Sequence, residues 1–245
     1  MVYITKIAEN EVHQVELSRL GTSQCGSRIN RVAETGQAVE MSVHRCSQFI
    51  AQNLERVFPD WVLPVTTCRV VVVLQQSRYP LTDTALHIER EKDIAFLRKM
   101  RYDLALGIGH WALGIGPRRA LGIPHFFENR YRLRERFINF GSDVVRNLRD
   151  RGFLTDLIDP RTGYPQLSRP GEIAHDDTAV VKALLGFPIV DNSCSVLEHP
   201  SWGSAVYPGI LMSSASEQVI KNVLKKVAVQ LCWTEPKKLQ VSVGV

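Results

Sequence analysis

The sequence predicts an α+β fold, an antiparallel sheet with helices packed on it. Three observations carry this. Residues 68–74 include four consecutive valines, the pattern of a strand covered on both faces and hence of a central strand. Segments with helical and strand-like periods follow one another as helix, strand, helix, long loop, helix, strand, strand, helix, an order that fits helices laid on an antiparallel sheet. Pro208 lies inside the strand-like run 205–212, which places that strand at an edge or a bulge because proline cannot donate to a ladder. A chain of 245 residues, 44% of them hydrophobic, can bury such a core as one domain.

Residues 1–40 mix Ser, Thr, Gly, Gln, Asn and charges without a sustained period and are expected to be a flexible arm, with structure starting after Glu40. Val43, Cys46, Ile50, Leu54 and Val57 recur at three and four residues, which predicts an amphipathic helix closed by Pro59. Cys46 lies on its apolar stripe and reads as a small buried hydrophobe. Helical spacing returns over 88–100 and over 137–151, where Gly152 is the stop. Between those helices Ala-Leu-Gly-Ile occurs three times, at 105–108, 112–115 and 120–123. Copies so closely spaced cannot form a solenoid, and the glycines with Pro117 disfavour a helix, so 101–129 is expected to be an inserted Gly-rich loop. Ser214 and Glu217 have capping-box spacing ahead of Val219, Ile220, Val223, Leu224 and Val227, the strongest helix signal in the chain. The domain then runs 41–232. Residues 233–245 form a tail in which Leu239, Val241 and Val243 alternate as in an added strand or a loose end.

The net charge of +5 is local, because residues 118–151 hold nine arginines against four acids. That argues against a nucleic-acid coat; the arginines suit a solvated helix face or an acidic partner. The longest uncharged apolar stretch, 104–117, is shorter than the ~20 residues a spanning helix needs, so no membrane segment is expected. The cysteines, Cys25, Cys46, Cys68, Cys194 and Cys232, are widely spaced and contain no Cys-x-x-Cys pair, which points to a reducing compartment and away from structural zinc. Neither a signal-peptide core nor an acid-poor transit peptide is evident at the start, so a cytoplasmic location is the expectation.

The functional signal is concentrated in residues 152–203. Here a strand-like run ends in the turn chemistry of Asp159-Pro160-Arg161-Thr162-Gly163, and a later run presents Cys194 ahead of Trp202-Gly203. Asn192, Ser193 and Ser195 favour a turn or loop at Cys194, which would leave its sulfur accessible; a buried structural cysteine is the other reading. A thiolate is a soft metal ligand, but with a reference pKa of about 8.5 it needs a metal or a nearby positive group such as His199 or an arginine of the basic helix. Asp156 and Asp159 have the look of paired carboxylates, although Asp159 before Pro160 is more simply a turn former capping its own backbone. Trp202 reads as a core or interface residue. His175, Asp176 and Asp177 lack a second histidine at ligand spacing and read as a solvated loop.

Two enzyme readings compete. Cys194 with His199 or His175 and Asp191 holds the residue types of a cysteine hydrolase, but Pro200 beside His199 is better explained by a turn. Residues 107–112 match a degenerate dinucleotide fingerprint, with Glu128 where an acid should follow, yet Pro117 breaks the helix that such a fingerprint opens.

The order of motifs across 152–203, above all Leu157-Ile158-Asp159-Pro160 and Trp202-Gly203, resembles the cobalamin-trafficking family of the cblD class, the methylmalonic aciduria and homocystinuria type D proteins. The likeness extends from about Met41 to Val227 around the 101–129 insertion. Residues 41–60 resemble the family's opening helix with its Phe-Pro end, 87–91 its Ile-Glu-Arg-Glu stretch and 215–226 its final helix. Family members carry two adjacent cysteines where this chain has Cys194 between serines. The resemblance implies a fold similar to flavin nitroreductases without the flavin. It also implies a non-enzymatic adaptor that binds the cblC-type cobalamin-processing protein and directs vitamin B12 toward methionine synthase in the cytosol or methylmalonyl-CoA mutase in mitochondria. On that basis Cys194 is the cobalt ligand, Ser193, Ser195 and Trp202 surround the cobalamin, and the isolated protein binds no cofactor of its own. The location is then cytoplasmic, with a mitochondrial pool. The competing expectation is a flavin- or nicotinamide-dependent oxidoreductase of nitroreductase-like fold, against which stands the missing arginine- and serine-rich phosphate motif.

Overall fold

Residues 69–76 form the middle strand of the molecule, as the valine run requires. In the computed structural model, which describes residues 28–46, 48–62, 64, 67–81, 125–192 and 194–236, the strands are β1 (Ile29–Val32), β2 (Ala38–Arg45), β3 (Arg69–Gln76), β4 (Thr155–Leu157), β5 (Ile189–Asn192), β6 (Cys194–Leu197) and β7 (Val206–Ser213). The helices are α1 (Gln48–Val57), α2 (His125–Arg149), α3 (Asp177–Leu185) and α4 (Glu217–Gln230). Five strands make one antiparallel sheet in the order β1-β2-β3-β7-β4, and β5 and β6 pair as a separate ribbon. The α+β class with an antiparallel sheet is as the sequence predicts.

Strand alternation sends the valines of β3 to two different cores. Val71 and Val73 pack with Phe137, Phe140, Val144 and Leu148 of α2 and with Ile220, Val223, Leu224 and Val227 of α4. Val70, Val72 and Leu74 pack on the other face with Ile50 and Leu54 of α1, Val180 and Val181 of α3, and Leu197 of β6. The sheet is therefore covered on both sides, and a polar residue on either face of β3 would have no water to meet.

Several boundaries differ from the sequence reading. Structure starts before Glu40, because Val39, Met41 and Val43 alternate as the buried side chains of β2 and β1 pairs with it. Val43 is thus a strand residue, and Cys46 lies between β2 and α1 rather than on a helical stripe. Helix α2 begins at His125, so residues 125–129, assigned to the inserted loop, form its first turn. The rest of that loop, the helix at 88–100 and the alternating tail lie outside the described residues. Trp233, placed at the start of the tail, is a core residue: it stacks on Phe140 at 4.7 Å and donates from Nε1 to Glu34.

Helix α3 was not foreseen. Asp176 caps it by accepting from the backbone N–H groups of Thr178 and Ala179 at 3.0 Å, and Gly186 ends it in the left-handed region at φ 70°. The capping box of Ser214 and Glu217 does not form either. Ser216 is the N-cap, while the Ser214 hydroxyl accepts from the Leu154 N–H. Strand β7 is an inner strand, contrary to the edge expected from Pro208, but β4 pairs only with Leu211, Met212 and Ser213. Pro208 faces Leu74 on the β3 side and no strand residue on the β4 side, so one flank of β7 is locally an edge there. Among the described residues, no helix is long and apolar enough to cross a membrane.

Candidate functional site

The ribbon of β5 and β6 puts Cys194 at its tip. Its register runs Ile189↔Leu197, Val190↔Val196, Asp191↔Ser195 and Asn192↔Cys194, with Ser193 alone between the strands. The base is anchored on both faces: Val196 packs with Leu81, Leu133 and Tyr207, and Leu197 enters the core below the sheet. Ser195 is exposed. Cys194 is therefore the first residue of a strand rather than a loop residue, because the apolar pair that follows it pulls the chain into ribbon pairing. Ser193 and the side chain of Cys194 lie outside the described residues.

Directly after the ribbon the chain turns at His199. Its backbone N–H donates to the Gly203 carbonyl and the Gly203 N–H donates back, each at 2.8 Å, closing a turn in which Gly203 adopts φ 54°. Pro200 serves that turn, as the sequence suggested. The His199 ring is buried, stacked 3.9 Å from Trp202 and met edge-on by Phe187. Its Nδ1 accepts the N–H groups of Ser201 and Trp202 at 3.1 and 3.2 Å. The proton of the neutral ring must then sit on Nε2, which lies 3.4 Å from Glu40 Oε2 on β2. Trp202 is half-buried against the same core, consistent with a core or interface role.

Burial holds His199 below the usual histidine range, against the pull of Glu40 and with Arg28 adding to it. A native state that keeps the ring neutral loses stability as the pH falls below the unfolded value of about 6.5, until the folded value is reached. His44 is also depressed by burial, so the informative measurement is a difference. His199→Asn keeps an acceptor for the two N–H groups and removes the titration. Its denaturant stability should fall less steeply than wild type below pH ~6.5, by up to about 1.4 kcal/mol per pH unit; parallel curves would show that His199 does not titrate on folding.

The second part of the candidate region is the turn after β4. Asp156 is fully buried and accepts from the backbone N–H groups of Leu157, Leu167 and Ser168, the last at 2.6 Å. Asp159 receives Nε and Nη2 of Arg134 at 2.7 and 2.6 Å and the Arg161 N–H at 3.0 Å. Burial raises the Asp159 carboxyl, but the Arg134 fork and the Arg161 N–H outweigh it and hold the group below its ordinary range. Both carboxylates are committed to holding the chain, so the turn-forming reading of Asp159 stands and paired acid–base work does not.

His175 and Asp177 do not form a solvated loop. Their side chains are buried and paired, Nδ1 to Oδ1 at 2.9 Å, and burial raises the Asp177 carboxyl against the lowering effect of His175. The His175 N–H donates to Gly163 at 2.7 Å, tying the start of α3 to the Asp159 turn. Of the histidines a hydrolase would draw on, His199 has its Nδ1 occupied by two backbone donors and His175 is paired with Asp177, while the side chains of Asp191 and Cys194 lie outside the described residues. Among the described residues, no group of three or more His, Cys, Asp or Glu could hold a metal ion. Sequence reasoning missed the Arg134–Asp159 fork, the Glu40–His199 contact and the His175–Asp177 pair. Only the last had a local signal, the two-residue spacing.

Comparison with known proteins bears out the resemblance read from 152–203. The family model described as methylmalonic aciduria and homocystinuria type D protein matches residues 123–227. The chain is similar to the human protein "Cobalamin trafficking protein CblD", at 20% identity over 191 residues, 78% of this chain and 50% of that protein. The rat and mouse proteins of the same name match over the same length at 20% and 19%. The chain spans about half the length of the curated relatives it matches. The family match takes in α2, the Asp159 turn, the ribbon with Cys194, the His199–Trp202 turn and most of α4.

Proposed function

We propose that this protein is a cobalamin-trafficking adaptor of the cblD type that turns over no substrate. In this reading it binds the cblC-type processing protein together with its cobalamin cargo and directs the cargo toward methionine synthase or methylmalonyl-CoA mutase. The observation that carries the reading is the position of Cys194, at the tip of a ribbon whose base is fixed by Val196 and Leu197. The tip of such a ribbon is where a partner can be met without opening the core. Ser193 and Ser195 flank it, and Trp202, braced on His199, stands at the foot of the same segment. With this goes the proposal that the fold is related to flavin nitroreductases and works without the flavin. The location proposed is the cytoplasm, with a mitochondrial pool.

Cobalt in a corrin would take the thiolate of Cys194 as a soft ligand, and only the deprotonated sulfur coordinates. A serine hydroxyl is harder and stays protonated near neutral pH. Cys194→Ser should therefore abolish the thiolate–cobalt absorption and magnetic-resonance signals of the complex with the cblC-type protein and cob(II)alamin. Stability should change little, within about 1 kcal/mol of wild type, because the swap is nearly isosteric. Retention of both signals would remove Cys194 from the role. Stoichiometric flavin absorbance in the purified protein would overturn the adaptor reading in favour of an oxidoreductase.

A further inference from the structure

Cys46 and Cys68 are neighbours across the sheet although 22 positions separate them in the chain. The register of β2 and β3 ends at Arg45↔Arg69. One step further places Cys46 opposite Cys68, and the Cys46 N–H donates to the Cys68 carbonyl at 3.4 Å. Residues opposed in this way have Cα atoms about 5.5 Å apart, within the range of about 4.4–6.8 Å that a disulfide bridges. The two thiols lie close enough to influence each other's ionisation.

Their exposures differ in a useful way. Cys68 is completely buried among Ile50, Leu54 and Val70, whereas Cys46 is half-buried at the rim of the same cluster. Of the two residues, Cys46 is the one a reagent in solvent can approach, because Cys68 is sealed within the cluster. Contact with Cys68 and burial raise the Cys46 thiol, so its attack is the slow step and quickens as the pH rises, whereas contact with Cys46 and the charge of Arg69 favour the thiolate at Cys68 against burial.

We propose that Cys46 and Cys68 form a reversible dithiol–disulfide couple that exchanges with low-molecular-weight disulfides of the glutathione class. Cys46 attacks the disulfide, whose S–S bond breaks and releases one thiol. Cys68 then attacks the Cys46 sulfur, closing the intramolecular bond and releasing the second thiol. The protein loses two electrons and two protons, which the two released thiols carry away. The bond closes the loop 46–68 that contains α1, fixing that helix to the central strand.

Equilibration of the full chain across a series of glutathione to glutathione disulfide ratios, followed by acid quench, alkylation and peptide mapping, tests this. The expected product is a peptide pair joining Cys46 to Cys68, lighter by two hydrogens and restored by dithiothreitol, with no accumulated glutathione adduct at either site. In Cys68→Ala the adduct at Cys46 should accumulate at least ~10-fold over wild type, since nothing resolves it. In Cys46→Ser, Cys68 should stay unmodified under native conditions. A stable glutathione adduct at Cys46 in the wild type, linkage of either residue to another cysteine, or two reduced thiols at the oxidising end of the series would each overturn the proposal. Should Cys68→Ala fail to fold, the wild-type map decides alone.

Discussion

Gly209→Ala is expected to lose on the order of 3 kcal/mol of stability, although it adds a single methyl group. A Cβ at this position would lie 2.5 Å from Cδ2 and Cε2 of Phe137 and 2.7 Å from Cζ. Phe137 is completely buried in the α2 side of the core, so its ring cannot step aside without moving α2 from the sheet. The clash is with one side chain, and that makes it testable by coupling. Phe137→Leu alone leaves space and destabilises, but Gly209→Ala in the Phe137→Leu background should cost about 1–2 kcal/mol less than in the wild type. Gly141→Ala is the control. It sits within α2, and its Cβ would meet Leu157 and Leu211 at 3.5–3.6 Å, ordinary contact distances. Relief of a mid-helix glycine should make that change neutral or stabilising by up to about 1 kcal/mol. Urea unfolding at constant m-value measures all four variants. A Gly209→Ala protein within about 0.5 kcal/mol of wild type, or strict additivity with Phe137→Leu, would show that the ring yields.

What could be read from the sequence depended on how many neighbours shaped each segment. Strand β3 was legible because burial on both faces leaves a run of valines, and α4 because one apolar face repeats at 220, 223, 224 and 227. Strand β2 was not, although Val39, Met41 and Val43 alternate with Glu40, Ser42 and His44. Val43 also fits the helical spacing of the α1 residues that follow, and two periods meeting at a boundary cannot be separated by counting. Helix α3 is only nine residues long, too short for a periodic signal, and Asp176 and Gly186 at its ends were the evidence available. At the candidate site the local chemistry was legible: the Asp159 turn, the Pro200 turn and a lone thiol among serines. The partners were not. Arg134 is 25 residues from Asp159 and Glu40 is on a different strand from the turn of His199, so nothing short of the assembled sheet brings them together. The same reason hid the ribbon, whose pairing depends on Val196 and Leu197 being received by two separate cores.

Replacement of Asp159 should reveal how the Leu157–Pro160 motif is held. Asp159→Ala is expected to cost about 3 kcal/mol, because it strands a guanidinium prepared for two charged hydrogen bonds. Arg134 keeps some solvent contact, which places the cost at the low end for breaking a buried pair. Asp159→Asn should cost about 2 kcal/mol, since it keeps an acceptor for the Arg161 N–H and weakens the fork. The pH dependence distinguishes an ion pair from lost packing. The folded carboxyl is held below its unfolded value, so the unfolded chain takes up a proton first as the medium is acidified. The contribution of Asp159 is then fully present above the unfolded value of about 3.9 and is lost as the pH falls through that value toward the folded one. Asp177 acts in the opposite sense, because burial raises its carboxyl in the folded state and acid relieves that cost. The wild-type curve alone therefore mixes the two, and the quantity to follow is the difference in unfolding free energy between wild type and Asp159→Asn. It should be constant from pH ~8 to pH ~5 and shrink below pH ~4. A difference that persists undiminished at pH ~3 would mean that Asp159 acts through shape, and the charge of Arg134 would then have no part in fixing the turn from which the chain runs on to His175 and α3.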